Sequence, residues 1–149
     1  MENKERLFNS TFEIEMRILV LLSEATTWPL SKSSIVTIDF MAVYGKEYGI
    51  SNHNLHGDNK YKFSELPSRH ELVDLGLKNL VKDGLVTPVL KKNYQYQIND
   101  NGENFISKMD DLYCEEYRAT VRKIFSTYNV TKTQSLVKLI NSKKAQEDN

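Results

Sequence analysis

Apolar positions along this chain change rhythm several times, and each rhythm predicts an element. Between Phe12 and Leu22 the apolar residues Ile14, Ile18, Leu21 and Leu22 share one helical face, while Phe12, Met16, Leu19 and Val20 fill much of the rest. A helix apolar nearly all round belongs at the centre of a core. Ser10 and Glu13 ahead of it have capping-box spacing. Residues 1–9 read as an N-terminal tail, polar up to Leu7 and Phe8, and the helix is expected to stop before Thr26-Thr27-Trp28-Pro29. From Leu30 to Tyr44 the signals compete. The β-branched run Ile35-Val36-Thr37-Ile38 favours a strand, whereas the segment length and Gly45 favour a helix. We assign a helix, capped by Ser31 or Ser33. Residues 46–62 are rich in turn formers and read as a long loop, of the kind that is functional or poorly ordered.

The segment from Ser64 to Asn101 organises the chain. Val73, Leu77, Leu80 and Val81 mark one buried helical stripe, widened by Leu72 and Leu75, with Gly76 allowing another helix to approach closely. Gly84 fits a left-handed helix terminus, and Leu85-Val86 begins a strand that Pro88 confines to a sheet edge. Lys91-Lys92-Asn93 forms a basic turn, and Tyr94, Tyr96 and Ile98 alternate on the returning strand. Helix, strand, turn and strand in this order are the pattern of a winged helix. Next, Phe105, Met109, Leu112, Tyr113, Tyr117, Val121, Ile124, Phe125 and Tyr128 predict one long helix over 103–128, suited to dimerisation or docking. A short helix is expected over 134–140 and a disordered tail over 142–149. The predicted fold is therefore mainly α with a small β-hairpin wing. It has a winged-helix-like domain over 10–100 and a helical docking extension over 101–141.

Composition narrows the function. The chain has 149 residues, with 20 basic and 20 acidic side chains that cancel. Zero net charge is a poor start for a protein that binds DNA alone. The charge is unevenly placed: beyond Tyr117 the bases Arg118, Arg122, Lys123, Lys132, Lys138, Lys143 and Lys144 face only Glu147 and Asp148. The single cysteine, Cys114, excludes an internal disulfide. With no apolar run of transmembrane length, the expected location is the cytoplasm.

Chemistry-bearing motifs are scarce. His53 and His56 lie near Asp58, but a zinc site would normally offer more ligands. Cys114 has acidic neighbours, Glu115 and Glu116, which disfavour its thiolate. No phosphate-cradling glycine loop, nucleophile elbow or HExxH run occurs. The chain reads as a non-enzyme with no cofactor. As a DNA reader it is equivocal. The candidate recognition helix mixes Arg69, His70, Lys78 and Lys82 with Glu71, Asp74 and Asp83. Lys91, Lys92, Arg118, Arg122 and Lys123 are the candidates for non-specific contact with a DNA backbone.

An ordered set of residues resembles the middle component of bacterial ABC-three-component systems, the accessory subunit of Lamassu-type anti-phage and anti-plasmid defence. The set comprises Phe8-Asn9, Phe12-Glu13, Arg17, Asp39-Phe40 and Asn54-Leu55-His56. It continues through Phe63, Glu65, Arg69, Gly84-Leu85-Val86 and Tyr96. Gly57-Asp58 stands where the family often has a proline. The resemblance implies a non-enzymatic subunit that works with an SMC/Rad50-like ATPase and a nuclease-type effector. Within that reading, Arg17, Asp39, His56, Glu65 and Arg69 are candidates for one polar network, serving either partner contact or fold maintenance. The rival is a free-standing winged-helix transcription regulator that dimerises through the 103–128 helix.

Overall fold

A computed structural model describes residues 10–25, 28–130 and 133–148. The expected N-terminal tail, with Leu7 and Phe8, and the Thr26-Thr27 helix stop lie outside the described residues. Six helices and a three-stranded antiparallel sheet make up the described fold. Helix α1 spans Thr11–Glu24, and Glu13 N donates to the Ser10 side chain at 3.3 Å. Every residue from Ile14 to Leu22 except Glu15 is buried, so the all-round apolar pattern produces a central helix. Helix α2, Lys32–Val43, is capped by Ser31, whose hydroxyl accepts from Ser34 N at 3.1 Å. Its ten residues from Ser34 to Val43 are all buried. The β-branched run is thus helical because tertiary burial on every side outweighs a weak local strand preference.

The 46–62 region is more structured than a loop of turn formers suggests. A 3₁₀ turn covers Gly45–Tyr48 and another covers Lys62–Glu65. Between them Asn54 is buried and ties the segment together. Its Oδ1 accepts from Lys46 N at 3.1 Å, and its Nδ2 donates to Asp58 at 3.0 Å and to Glu47 at 3.3 Å. Leu55 N also donates to Val43 O at 2.9 Å. Helix α3, Leu66–Lys82, follows and packs on α1. At Gly76 a Cβ would lie only 3.0 Å from Ile18 Cδ1 and 3.1 Å from Ile14 Cγ2, which is why the helices can approach there. Gly84 closes the helix end at φ 77°.

Strands β2, Val86–Leu90, and β3, Tyr94–Ile98, pair with Val86 opposite Ile98 and Leu90 opposite Tyr94. The two-residue strand β1, Leu30–Ser31, pairs with β3 on its other side, giving the order β1-β3-β2. Pro88 therefore sits on an edge strand, as its missing N–H requires. Sequence reading missed β1, because two residues carry no alternation.

The predicted long helix is two helices. Helix α4, Asp100–Ile106, is capped by Asn99, and α5, Leu112–Thr127, is capped by Asp111, which accepts from Cys114 N at 2.8 Å. Asp111 offers the amides a better start than a continuing helix could, so the chain breaks over 107–111. Nor does α5 project from the domain. Tyr117, Val121 and Ile124 are fully buried in the same hydrophobic cluster as α1, α2 and α3, so one core spans the boundary expected at 100/101. The last helix, α6, covers Thr133–Asp148 and buries Leu136 and Ile140. It continues over 142–148 of the tail expected to be disordered. Among the described residues no helix is long and apolar enough to cross a membrane.

Candidate functional site: a buried ionic network

Where α1, α2, α3 and α5 meet, the core holds charge. Arg17 points inward from α1, and its Nε donates to Asp39 Oδ1 at 2.9 Å and its Nη2 to Asp39 Oδ2 at 3.3 Å. Arg69, from α3, donates through Nη1 to Asp39 Oδ2 and through Nη2 to Glu65 Oε2 at 3.3 Å. Tyr117, from α5, donates its hydroxyl to Asp39 Oδ1 at 2.6 Å. Glu65 accepts from Tyr44 OH at 2.7 Å and from Asn59 Nδ2 at 2.8 Å. Two guanidinium groups thus face two carboxylates, which is the balance a buried charge cluster needs.

The electrostatics follow from burial and pairing. Burial alone would raise the Asp39 carboxyl, but Arg17 and Arg69 hold it well below the usual carboxylate range. Desolvation would likewise favour neutral Arg17, and the Asp39 charge more than reverses this. Burial beside Asp39 pushes the Tyr117 phenol well up, so it remains a donor. Within this network Arg69 Nε is buried without a hydrogen-bond partner among the described residues. Its guanidinium lies over the Phe40 ring at 5.8 Å, and the ring face offsets part of that loss.

His56 joins the network from the loop. Its Nε2 lies 2.6 Å from Tyr113 OH, and the two rings stack with centroids 5.9 Å apart. Burial, with the Arg17 charge nearby, pushes the imidazole down to about 3, so it is neutral at pH 7. Tyr113, pushed up to about 12 mainly by burial, also hydrogen-bonds Arg17. Which partner donates in the His56–Tyr113 bond is set by the imidazole tautomer. The structure therefore brings together all five residues read from the sequence as one network: Arg17, Asp39, His56, Glu65 and Arg69. Tyr44, Asn59, Tyr113 and Tyr117 were not singled out as members. Tyr113 and Tyr117, four apart on α5, carried a usable signal: buried phenols on an apolar stripe need polar partners.

Arg17, Asp39 and Arg69 are each no more than 3% exposed. Their side chains bond to one another and present almost no surface. The other candidates are distributed differently. Lys91 and Lys92 are exposed on the turn between β2 and β3. Arg118 and Arg122 both turn onto Glu24, at 3.0 and 2.8 Å, and fasten α5 to the end of α1. Lys123 is exposed on α5. On α3, Arg69 is buried, and Asp74 is shared by Lys32 at 3.3 Å and Lys78 at 2.9 Å. A recognition face there would lose Arg69 and carry that ion pair.

His53 is exposed and its Nε2 is 3.9 Å from Glu116 Oε2, whereas His56 faces inward. The two histidines do not converge. Among the described residues no group of three or more His, Cys, Asp or Glu side chains could hold a metal ion. The Cys114 thiol is pushed up, by burial first and only secondarily by Asp111 and Glu115.

Fold and site together define a mainly helical protein with a small antiparallel sheet, closed around a buried Arg–Asp–Arg cluster. The family model of the ABC-three component (ABC-3C) system Middle Component 2 matches residues 7–148. The chain belongs to this family and is a middle component of an ABC-three-component system. No curated protein and no solved structure shows a significant match.

Proposed function

We propose that this chain is the non-enzymatic accessory subunit of an anti-phage or anti-plasmid defence complex of Lamassu type. It docks on an SMC/Rad50-like ATPase, bridges it to a nuclease-type effector, and reaches DNA without sequence preference inside the assembly. The single observation that carries this reading is the family match over 7–148. The charge distribution supports it: the strongest polar constellation is buried, balanced and occupied with itself, as in a scaffold. The network's role is fold maintenance, because a partner would find almost none of its charged atoms at the surface. The helix α3 with its β2–β3 hairpin plays the winged-helix part, with the turn lysines and not α3 facing DNA. The rival regulator depended on a long dimerisation helix. With 103–128 broken in two and the apolar face of α5 in the core, that reading has lost its support.

The test is a tagged pull-down from the native host with mass identification of partners. Recovery of a coiled-coil ATPase with an effector is the expected result. Recovery of the chain alone, as a dimer that shifts a defined DNA fragment, would overturn the proposal. A second measurement separates the two roles of the network. Arg69→Ala is expected to unfold the isolated chain. If it stays folded yet no longer co-purifies with the ATPase, partner contact is its role instead.

A further inference from the structure

A groove of about 770 Å³ opens between the β2–β3 turn and the start of α2. Lys91 and Lys92 line it on the turn side and Lys32 on the helix side, and no carboxylate is among the described residues that line it. Lys32 shares Asp74 with Lys78 outside the groove, whereas Lys91 and Lys92 make no ion pair among the described residues. In a chain of zero net charge this is a local excess of one sign. Two aromatic side chains share the lining: Trp28 is 50% exposed and Tyr94 is 59% exposed.

We propose that this groove binds a short stretch of single-stranded DNA, with Lys91, Lys92 and Lys32 on phosphates and bases stacked on Trp28 and Tyr94. Cations answer any polyanion. The aromatic faces select an unpaired strand, because bases inside a duplex are already stacked on one another and cannot leave their neighbours cheaply. An acidic protein segment would satisfy the lysines and leave both ring faces uncompensated. No hydrogen-bonding constellation aimed at a base edge is needed, so binding is indifferent to sequence. The assignment rests on the turn lysines facing DNA in the reading above, and not on the bridging of ATPase and effector.

Trp28 is the chain's only tryptophan, so its fluorescence reports on the groove directly. The full chain is titrated with oligo(dT), with a duplex of the same length and with oligoglutamate, following both Trp28 emission and anisotropy of the labelled probe. Saturable quenching by oligo(dT), not by the duplex, is expected. Three phosphate contacts imply that log K falls with log salt at a slope of about −2. The K91A/K92A double variant should bind about tenfold or more weakly, with a slope of about −0.7. Both positions are exposed turn residues, so an unchanged circular-dichroism melt verifies the fold. Trp28→Ala, followed by anisotropy, should weaken oligo(dT) binding without changing the salt slope. Equal binding of duplex without quenching, quenching by oligoglutamate as strong as by oligo(dT), or no binding of any probe would each overturn the assignment. A chain that binds oligo(dT) but recovers no ATPase would instead overturn the adaptor reading and leave the groove assignment standing.

Discussion

Asp39→Asn removes one charge and little volume, and it tests whether the core is held by charge balance. Asp39 accepts from Arg17 through both carboxylate oxygens, from Tyr117 through Oδ1 and from Arg69 through Oδ2. An amide in its place turns one acceptor into a donor that must face other donors. It also leaves two guanidiniums answered by Glu65 alone. Taking one partner from a buried ion pair costs about 3–5 kcal/mol. Against a typical domain stability of about 5–15 kcal/mol, this is about a fifth or more of the total. At roughly 2–4 °C per kcal/mol for a chain of this size, Tm should fall by about 6–20 °C. The assay is urea and thermal unfolding at pH 7, followed by far-ultraviolet circular dichroism. The control is a triple variant, Arg17→Met, Asp39→Leu and Arg69→Met, which removes the fully buried Arg–Asp–Arg part as a unit and leaves the partly exposed Glu65 to its Tyr44 and Asn59 donors. Apolar replacement of a whole buried ion cluster is often neutral or stabilising, so the triple variant should recover most of the loss. An Asp39→Asn protein within about 1 kcal/mol of the native one would refute the reasoning. So would a triple variant as unstable as the single one, since shape and not charge would then be what the site requires.

His56 predicts an acid weakness above the carboxylate range. Its folded pKa of about 3 lies below the ordinary 6.5, so between these values the unfolded chain binds the extra proton. Stability should fall as pH drops from 6.5 toward 3, at up to about 1.4 kcal/mol per unit. His56→Gln should flatten that slope in urea melts, and an unchanged slope would show that the imidazole is not buried neutral. Asp39 has a depressed folded pKa, so its contribution is complete above its ordinary 3.8 and is lost only below it. Gly102→Ala should cost about 1–3 kcal/mol by chemical denaturation, because the new Cβ would lie 2.3 Å from Leu85 O and 2.6 Å from Ile98 Cγ1. Truncation after Asn141 removes Glu147, both of whose oxygens lie 2.8 Å from the buried Lys62 ammonium. The shortened chain should lose about 1–3 kcal/mol, and Lys62→Met should restore part of it. A truncated chain as stable as the full one would show that the end of α6 holds nothing.

What the sequence determined by itself was local. The Ser10–Glu13 capping box, the apolar stripe before Gly84, the edge-strand proline and the alternation of Tyr94, Tyr96 and Ile98 marked helices and hairpin, because each rests on contacts within a few residues. The membership of Arg17, Asp39, His56, Glu65 and Arg69 in one network was legible only through family resemblance. Only Glu65 and Arg69, four apart, are linked by a spacing rule; Arg17, Asp39 and His56 lie on separate elements. The tertiary structure decided the rest. Burial on all sides made the β-branched 35–38 run helical. Asp111 cut the expected long helix, although apolar rhythm continued past it, since periodicity does not register a capping residue within a stripe. Glu24 engaged Arg118 and Arg122 in ion pairs, Arg122 staying exposed, and Asp39 took Arg69 away from any DNA-reading face. A charge's role depends on which carboxylate the fold brings within reach, and those pairs are separated by 94, 98 and 30 residues along the chain.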